Sequence, residues 1–205
     1  DPVLRDLPVV HGVDLGAPAR PRAAGEAVVI ADPRGDLVAA ALEGEQAAAH
    51  LGAPLLRGEA ASWDAVSRAF RSSDLFYYAG HGRADDDPLR SGLPLAGGAR
   101  LEAGDVLAFG EAPRVAVLSG CETARGASPS GRLSLAEALV AAGAERVIGT
   151  TERVPDASAA RFAAALLEAD ALEPAPFTPR ELHAALSQLR EAGDASWSRY
   201  RMLVP

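Results

Sequence analysis

The 205 residues contain a single cysteine, Cys121, which follows the run Val115-Ala116-Val117-Leu118-Ser119-Gly120. Forty positions earlier, His81 stands between two glycines, after Leu75-Phe76-Tyr77-Tyr78-Ala79. A thiol and an imidazole are the two parts that covalent hydrolysis by cysteine requires. The thiolate is the nucleophile, and an ordinary Cys, with a pKa near ~8.5, is mostly protonated at neutral pH. A His near ~6.5 takes that proton and later returns it to a leaving amine. Donors aimed at the developing oxyanion complete the set, each worth ~3 kcal/mol. The N–H groups of Gly82 and Cys121 are the candidates, because glycine beside His81 lets a substrate strand approach the backbone. Each residue alone has an ordinary alternative. His81 reads equally well as a turn histidine, and Cys121 as a small buried hydrophobe. Their joint placement favours chemistry, since each follows an apolar run and each adjoins glycine.

The elements that position them follow from periodicity. Ala27-Val28-Val29-Ile30-Ala31, Leu75 to Ala79, Val115 to Leu118 and Arg146 to Thr150 are short apolar runs that read as strands. Asp32-Pro33-Arg34-Gly35 reads as a turn, and residues 36–51 as a helix with Leu37, Ala41, Ala48 and Leu51 on one side. Ser62 is placed to cap a helix carrying Trp63, Val66 and Phe70. Ser134 with Glu137, and Thr178 with Glu181, form capping boxes. Asp156 stands as the cap of a helix running to about Glu168, and Tyr200 to Val204 reads as the last strand. A loop of about thirty residues is expected from Arg83 to Pro113. Fully apolar strands alternating with amphipathic helices mean a mostly parallel sheet covered on both faces, an α/β sandwich. Sites in such folds lie at the carboxyl ends of the strands. If the strands before His81 and Cys121 are parallel neighbours, both side chains emerge on one rim.

Composition bounds the alternatives. The chain is long enough for one substantial domain, residues 27–205, preceded by a Pro- and Gly-rich arm or linker at 1–26. Forty-five alanines and few aromatics leave Leu, Val and Ala to build the core. All 20 basic residues are Arg, as expected of a GC-rich bacterial genome. A net charge of −8 argues against a nucleic-acid partner, and no apolar run is long enough to span a membrane. One cysteine excludes an internal disulfide and a multi-Cys zinc site. The chain opens at Asp1-Pro2 without Met or a signal-like stretch, so a cytoplasmic piece of a longer protein is expected.

Tyr78-Ala79-Gly80-His81-Gly82 and Leu118-Ser119-Gly120-Cys121-Glu122-Thr123 resemble the two signature blocks of CHAT domains, caspase-like cysteine peptidases related to separase. Arg90 to Leu95, Leu139 to Thr150 and Ser196 to Val204 are similar to further segments of that family, so the resemblance covers roughly residues 27–205. It implies a caspase-like three-layer α/β/α sandwich with a mostly parallel central sheet, a His81/Cys121 dyad and no cofactor or metal. It also implies a protein substrate, gasdermin-like or encoded in the same operon, in bacterial defence or regulated cell death. A sensor or TPR region would lie outside this chain. The sequence departs from the family where Glu152 replaces a usual Trp, Gly120 a usual Ala, and Arg125 a usual small residue.

Related peptidases that cut after a basic residue place a carboxylate in the first specificity pocket. Asp156, Glu152 and Glu122 are the candidates here. Asp156 has the alternative of a helix cap, Glu152 of a solvated loop residue, and Glu122 of a structural role beside the nucleophile. Asp85-Asp86-Asp87 reads as solvated loop, since its spacing matches no calcium loop. The loop from Arg125 to Arg132 is a candidate for self-cleavage. The function expected is an endopeptidase cutting a partner protein after a basic residue. Two alternatives remain: a catalytically silent caspase-like scaffold, and an α/β nucleotide binder. Asp32-Pro33-Arg34-Gly35 is no phosphate cradle, which argues against the second.

Overall fold

The apolar runs are continuous because both faces of the strands they form are covered. A computed structural model describes residues 8–13, 26–125, 133–170 and 176–205. Most of the 1–26 arm, and residues 126–132 of the loop considered for self-cleavage, lie outside the described residues. Among the described residues the strands are β1 (His11–Gly12), β2 (Ala27–Ala31), β3 (Leu55–Arg57), β4 (Leu75–Ala79), β5 (Gly92–Pro94), β6 (Arg100–Glu102), β7 (Val115–Ser119), β8 (Arg146–Thr150) and β9 (Tyr200–Val204). Seven of them form one sheet in the order β1-β9-β8-β7-β4-β2-β3, and β5 pairs with β6. The strands from β8 to β3 run parallel. Strand β9 is antiparallel to β8, and β1 is parallel to β9. Two residues of the expected arm thus add an edge strand.

Alternate residues of each strand enter different cores. Val28, Ile30, Phe76, Tyr78, Ala116 and Leu118 face α2 (Trp63–Ser72), α3 (Ala103–Phe109) and α4 (Leu135–Ala141). Val29, Ala31, Tyr77, Ala79, Val117 and Ile148 face α1 (Val38–Leu51), α5 (Asp156–Asp170) and α6 (Pro179–Glu191). The result is the three-layer α/β/α sandwich with a mostly parallel central sheet. The expected caps form locally: Ser62 Oγ accepts from Ala65 N–H at 3.4 Å. Ser134 and Glu137 close a reciprocal box, with bonds of 2.6 and 3.1 Å. Thr178 N–H donates to the Glu181 carboxylate.

Three details differ from the sequence reading. The segment 83–113 is not one loop, because β5, β6 and α3 lie within it. Three-residue strands built around Gly92 and Pro94 carry too little pattern for periodicity to find. Helix α1 buries Ala40, Ala41, Glu43, Gly44 and Ala47, a stripe rotated from the one expected. Alanine on every side gives little contrast, and the contact is set by Gly44, where a Cβ would come 2.1 Å from the Ala31 Cβ. Asp156 is the first residue of α5 and not the residue before it, so its carboxylate sits in the helix's positive first turn.

Candidate active site

Sheet register builds the rim. Ala31 pairs with Ala79, and Ala79 with Ser119. His81 and Cys121 each lie two residues beyond a paired position, on neighbouring parallel strands. The condition set by the sequence is therefore met, and both residues emerge on the same rim. Asp32 N–H donates to Ala79 O at 2.9 Å, and Gly80 N–H to Ser119 O at 3.1 Å, which carries the ladder past the strand ends. The two turns are in contact through backbone: a Cβ on Gly82 would lie 2.0 Å from Cys121 O. The Gly82 and Cys121 N–H groups, the oxyanion candidates, donate to no acceptor within the described residues.

The turn carrying Cys121 is tied to β8 by two threonines. Thr150 Oγ1 donates to Gly120 O and accepts from Glu122 N–H, both at 2.8 Å. Thr150 N–H reaches Thr123 Oγ1 at 3.2 Å, and Thr123 Oγ1 lies 3.3 Å from Gly120 O. These bonds hold Glu122 in the left-handed region, at φ 60°, which sets the angle at which Cys121 leaves the strand. Thr150 is buried, so Thr150→Val strands the Glu122 N–H and removes the shorter of the two bonds to the Gly120 carbonyl in one step. The expected loss is about 2–3 kcal/mol of unfolding free energy, measured in denaturant. A loss under about 0.5 kcal/mol, within the range of ordinary surface changes, would show that the network does not fix the turn.

His81 is held from two sides. The Tyr78 hydroxyl lies 2.9 Å from both the His81 and the Pro94 carbonyls, tying the histidine turn to β5. Its Nε2 lies 3.0 Å from Asp36 Oδ1. Asp36 is set in place by the Asp32 turn, where Asp32 Oδ1 accepts from both Asp36 and Leu37 N–H at 3.0 Å. Arg34 also pairs with Asp36, at 2.7 Å. Asp36 was not singled out in the sequence, although an acid just beyond the strand next to the histidine strand was a usable signal. Cys121 Sγ donates to Val154 O at 3.7 Å, and no hydrogen bond joins it to the imidazole among the described residues. Catalytic hydrogen bonds are often loose before substrate arrives.

The two residues open on different cavities. His81 and Gly82 line a wide cleft with Arg34, Arg83, Arg90 and Arg100. Cys121 lines a narrow slot walled by Leu37, Ala40, Val154 and Ala159. Of the three candidate carboxylates only Asp156 borders this slot. Glu152 is exposed and lies 3.5 Å from Arg199. Glu122 turns to Arg125 at 2.5 Å and Arg153 at 4.0 Å. The slot holds an acid that sequence reasoning passed over, Glu43 on α1, which is only 5% exposed. Burial pushes its carboxyl up to about 7, against the neighbouring Ser119 and Tyr77 hydroxyls, which favour the charged form. The available signal was an acid on the line Ala40–Glu43–Ala47 of an alanine-rich helix. Asp85 and Asp87 accept turn hydrogen bonds, from Asp87 N–H and Leu89 N–H. Among the described residues no helix is long and apolar enough to cross a membrane.

The CHAT domain family model matches residues 9–196. Among curated protein sequences nothing matches. Among solved structures, the chain is similar to the Saccharomyces cerevisiae separase–securin complex, at 17% identity and a TM-score of 0.64. That match covers 89% of this chain and 12% of the other. It is also similar to Porphyromonas gingivalis RgpB, in a complex of pro- and mature domains, at 15% identity and a TM-score of 0.58, covering 88% of this chain and 47% of the other. A crystal structure of the Arg-specific cysteine proteinase gingipain R matches at 13% identity and a TM-score of 0.57, covering 88% and 46%. The chain thus spans about an eighth of the first relative and less than half of the others. The shared architecture is the caspase-like fold.

Proposed function

Because this chain belongs to the CHAT domain family, we propose that it is a cysteine endopeptidase that cuts a partner protein after a cationic residue. The observation that carries this reading is the β4–β7 register, with Cys121 and His81 at equivalent positions on adjacent parallel strands. In the proposed reaction His81 takes the Cys121 thiol proton, and the sulfur forms a bond to the scissile carbonyl carbon. The tetrahedral oxyanion is met by the Gly82 and Cys121 N–H groups. The C–N bond breaks as the imidazolium gives its proton to the departing amine, leaving an acyl-enzyme. Water then attacks the thioester with His81 as base, releasing the acid and restoring the thiol. A carboxylate at the slot, with Asp156 at its mouth, supports a cationic residue on the acyl side of the cleaved bond. A protein ligand is consistent with the similar structures, one bound to securin and one to its pro-domain.

The test is alkylation of Cys121 by iodoacetamide near neutral pH, with and without His81. His81→Ala is expected to slow the reaction by about tenfold or more, since the imidazole supplies the thiolate. A slow rate unaffected by His81→Ala would favour the silent scaffold.

A further inference from the structure

The floor of the Cys121 slot has a composition that packing does not account for. Glu43 Oε1 accepts from the Tyr77 hydroxyl at 2.8 Å. Among the described residues, none of the groups acting on the Glu43 carboxyl is a cation. The Ser119 hydroxyl acts on the same carboxyl, and at the same slot the buried Tyr200 hydroxyl has no hydrogen-bond partner among the described residues. A buried hydroxyl without a partner and a buried acid without a counter-ion each cost stability. The walls above them are aliphatic, from Leu37, Ala40, Val154 and Ala159. The interior is about 40 Å³. That is room for roughly three or four water-sized groups, the size of a guanidinium head whose stem stays in the mouth.

Resting on the peptidase reading above, we propose that Glu43 meets the side chain on the acyl side of the cleaved bond, P1, and that a cationic P1 enters by displacing a proton from Glu43 to solvent. A guanidinium brings five N–H donors and no acceptor, matching one carboxylate and two acceptor hydroxyls. Bound there, it supplies the missing counter-ion and satisfies Tyr200. The aliphatic walls take the methylenes of its stem. Groups facing Glu43 come from three strands and a helix: Tyr77 on β4, Ser119 and Cys121 at the end of β7, Tyr200 on β9 and Asp156 on α5. Asp156, exposed at the mouth, adds attraction for the same charge.

The proton requirement gives a sign. In the empty slot Glu43 is protonated below about pH 7. Binding of a cation then requires proton release and weakens about tenfold for each pH unit of further acidification. A neutral side chain of the same shape has no such requirement. The experiment compares tripeptidyl acyloxymethylketones with Arg or citrulline at P1, followed as rates of covalent labelling of Cys121 from pH 5.5 to 8.5. The ratio of the two rates cancels the titration of the dyad, which both probes share. In the wild-type chain the ratio is expected to rise to about pH 7 and level off at on the order of 10–100-fold. Glu43→Gln, the shape of the protonated acid, is expected to give a flat ratio near one while citrulline labelling persists. Tyr77→Phe is expected to keep the preference for Arg but move the midpoint to higher pH, because it removes a donor that favours the carboxylate. An Arg preference unchanged in Glu43→Gln overturns the role of Glu43 and leaves the peptidase reading standing. Absence of Cys121 labelling by either probe overturns both.

Discussion

Hydrolysis of a P1-Arg peptide is expected to fall by about 10⁵-fold or more in Cys121→Ala, because no other group in the slot forms a comparable acyl intermediate. His81→Ala is expected to lower kcat by about 10³–10⁴-fold with little change in KM, since the imidazole acts on the transition state. The double variant should be no slower than Cys121→Ala alone, because a base without its nucleophile has nothing to activate. Asp36→Asn belongs to the same series. Asp36 touches the imidazole Nε2 and not the substrate, so it is a positioning residue. It is about 40% exposed and shares its carboxylate with Arg34. Its loss should cost about tenfold in kcat, far less than the ~10⁴ of a fully buried orienting carboxylate. Additive losses in the double variant would mean that Cys121 and His81 do not act as one unit.

Gly82→Ala should damage fold and site together. A Cβ there would lie 2.0 Å from Cys121 O and 2.9 Å from both Cys121 C and Cys121 N. All three are backbone atoms, so no side chain can turn aside to make room. The Gly80–Gly82 and Ser119–Cys121 turns must separate, breaking contacts beside the Gly80–Ser119 hydrogen bond. Overpacking of this kind costs about 3 kcal/mol. For a chain of this length that is a fall of about 6–12 °C in Tm. A displacement near 1 Å between nucleophile and base should also cost on the order of 100-fold in turnover. Gly12→Ala is the control, because among the described residues nothing lies within 4 Å of its added carbon. Equal Tm values for the two variants would show that the turns separate at no cost.

The candidate site was legible where a chemically apt residue coincides with a local signal. Cys121 and His81 each end an apolar run, and a run of five such residues is legible without knowing its neighbours. The capping boxes at Ser134 and Thr178 were legible for the same reason, since their spacing is contained in four residues. Glu43 and Asp36 were missed because their meaning is non-local. Glu43 becomes a pocket floor only when α1 packs Gly44 against Ala31, and in an alanine-rich helix no side chain announces that face. Asp36 matters only because β2 lies beside β4. Glu152 and Glu122 show the converse. Both stand close in sequence to the right strand ends, but arginines draw their carboxylates away from the slot.

The shared ladder has a mechanical consequence. Strands β2, β4 and β7 are locked in register to their last residues, and the hydrogen bonds from Asp32 and Gly80 extend the lock into the turns. The Cα positions of His81 and Cys121 are therefore a fixed bed. Bringing imidazole to sulfur is a matter of torsion: Cys121 leaves Val154 and His81 turns while its Nε2 stays on Asp36, each by rotation about side-chain bonds. Rotamer changes take picoseconds to nanoseconds at exposed side chains, the fast limit for these two half-buried ones. Assembly of the proposed dyad is thus a matter of two rotors, separated from any slower rearrangement of the surrounding chain.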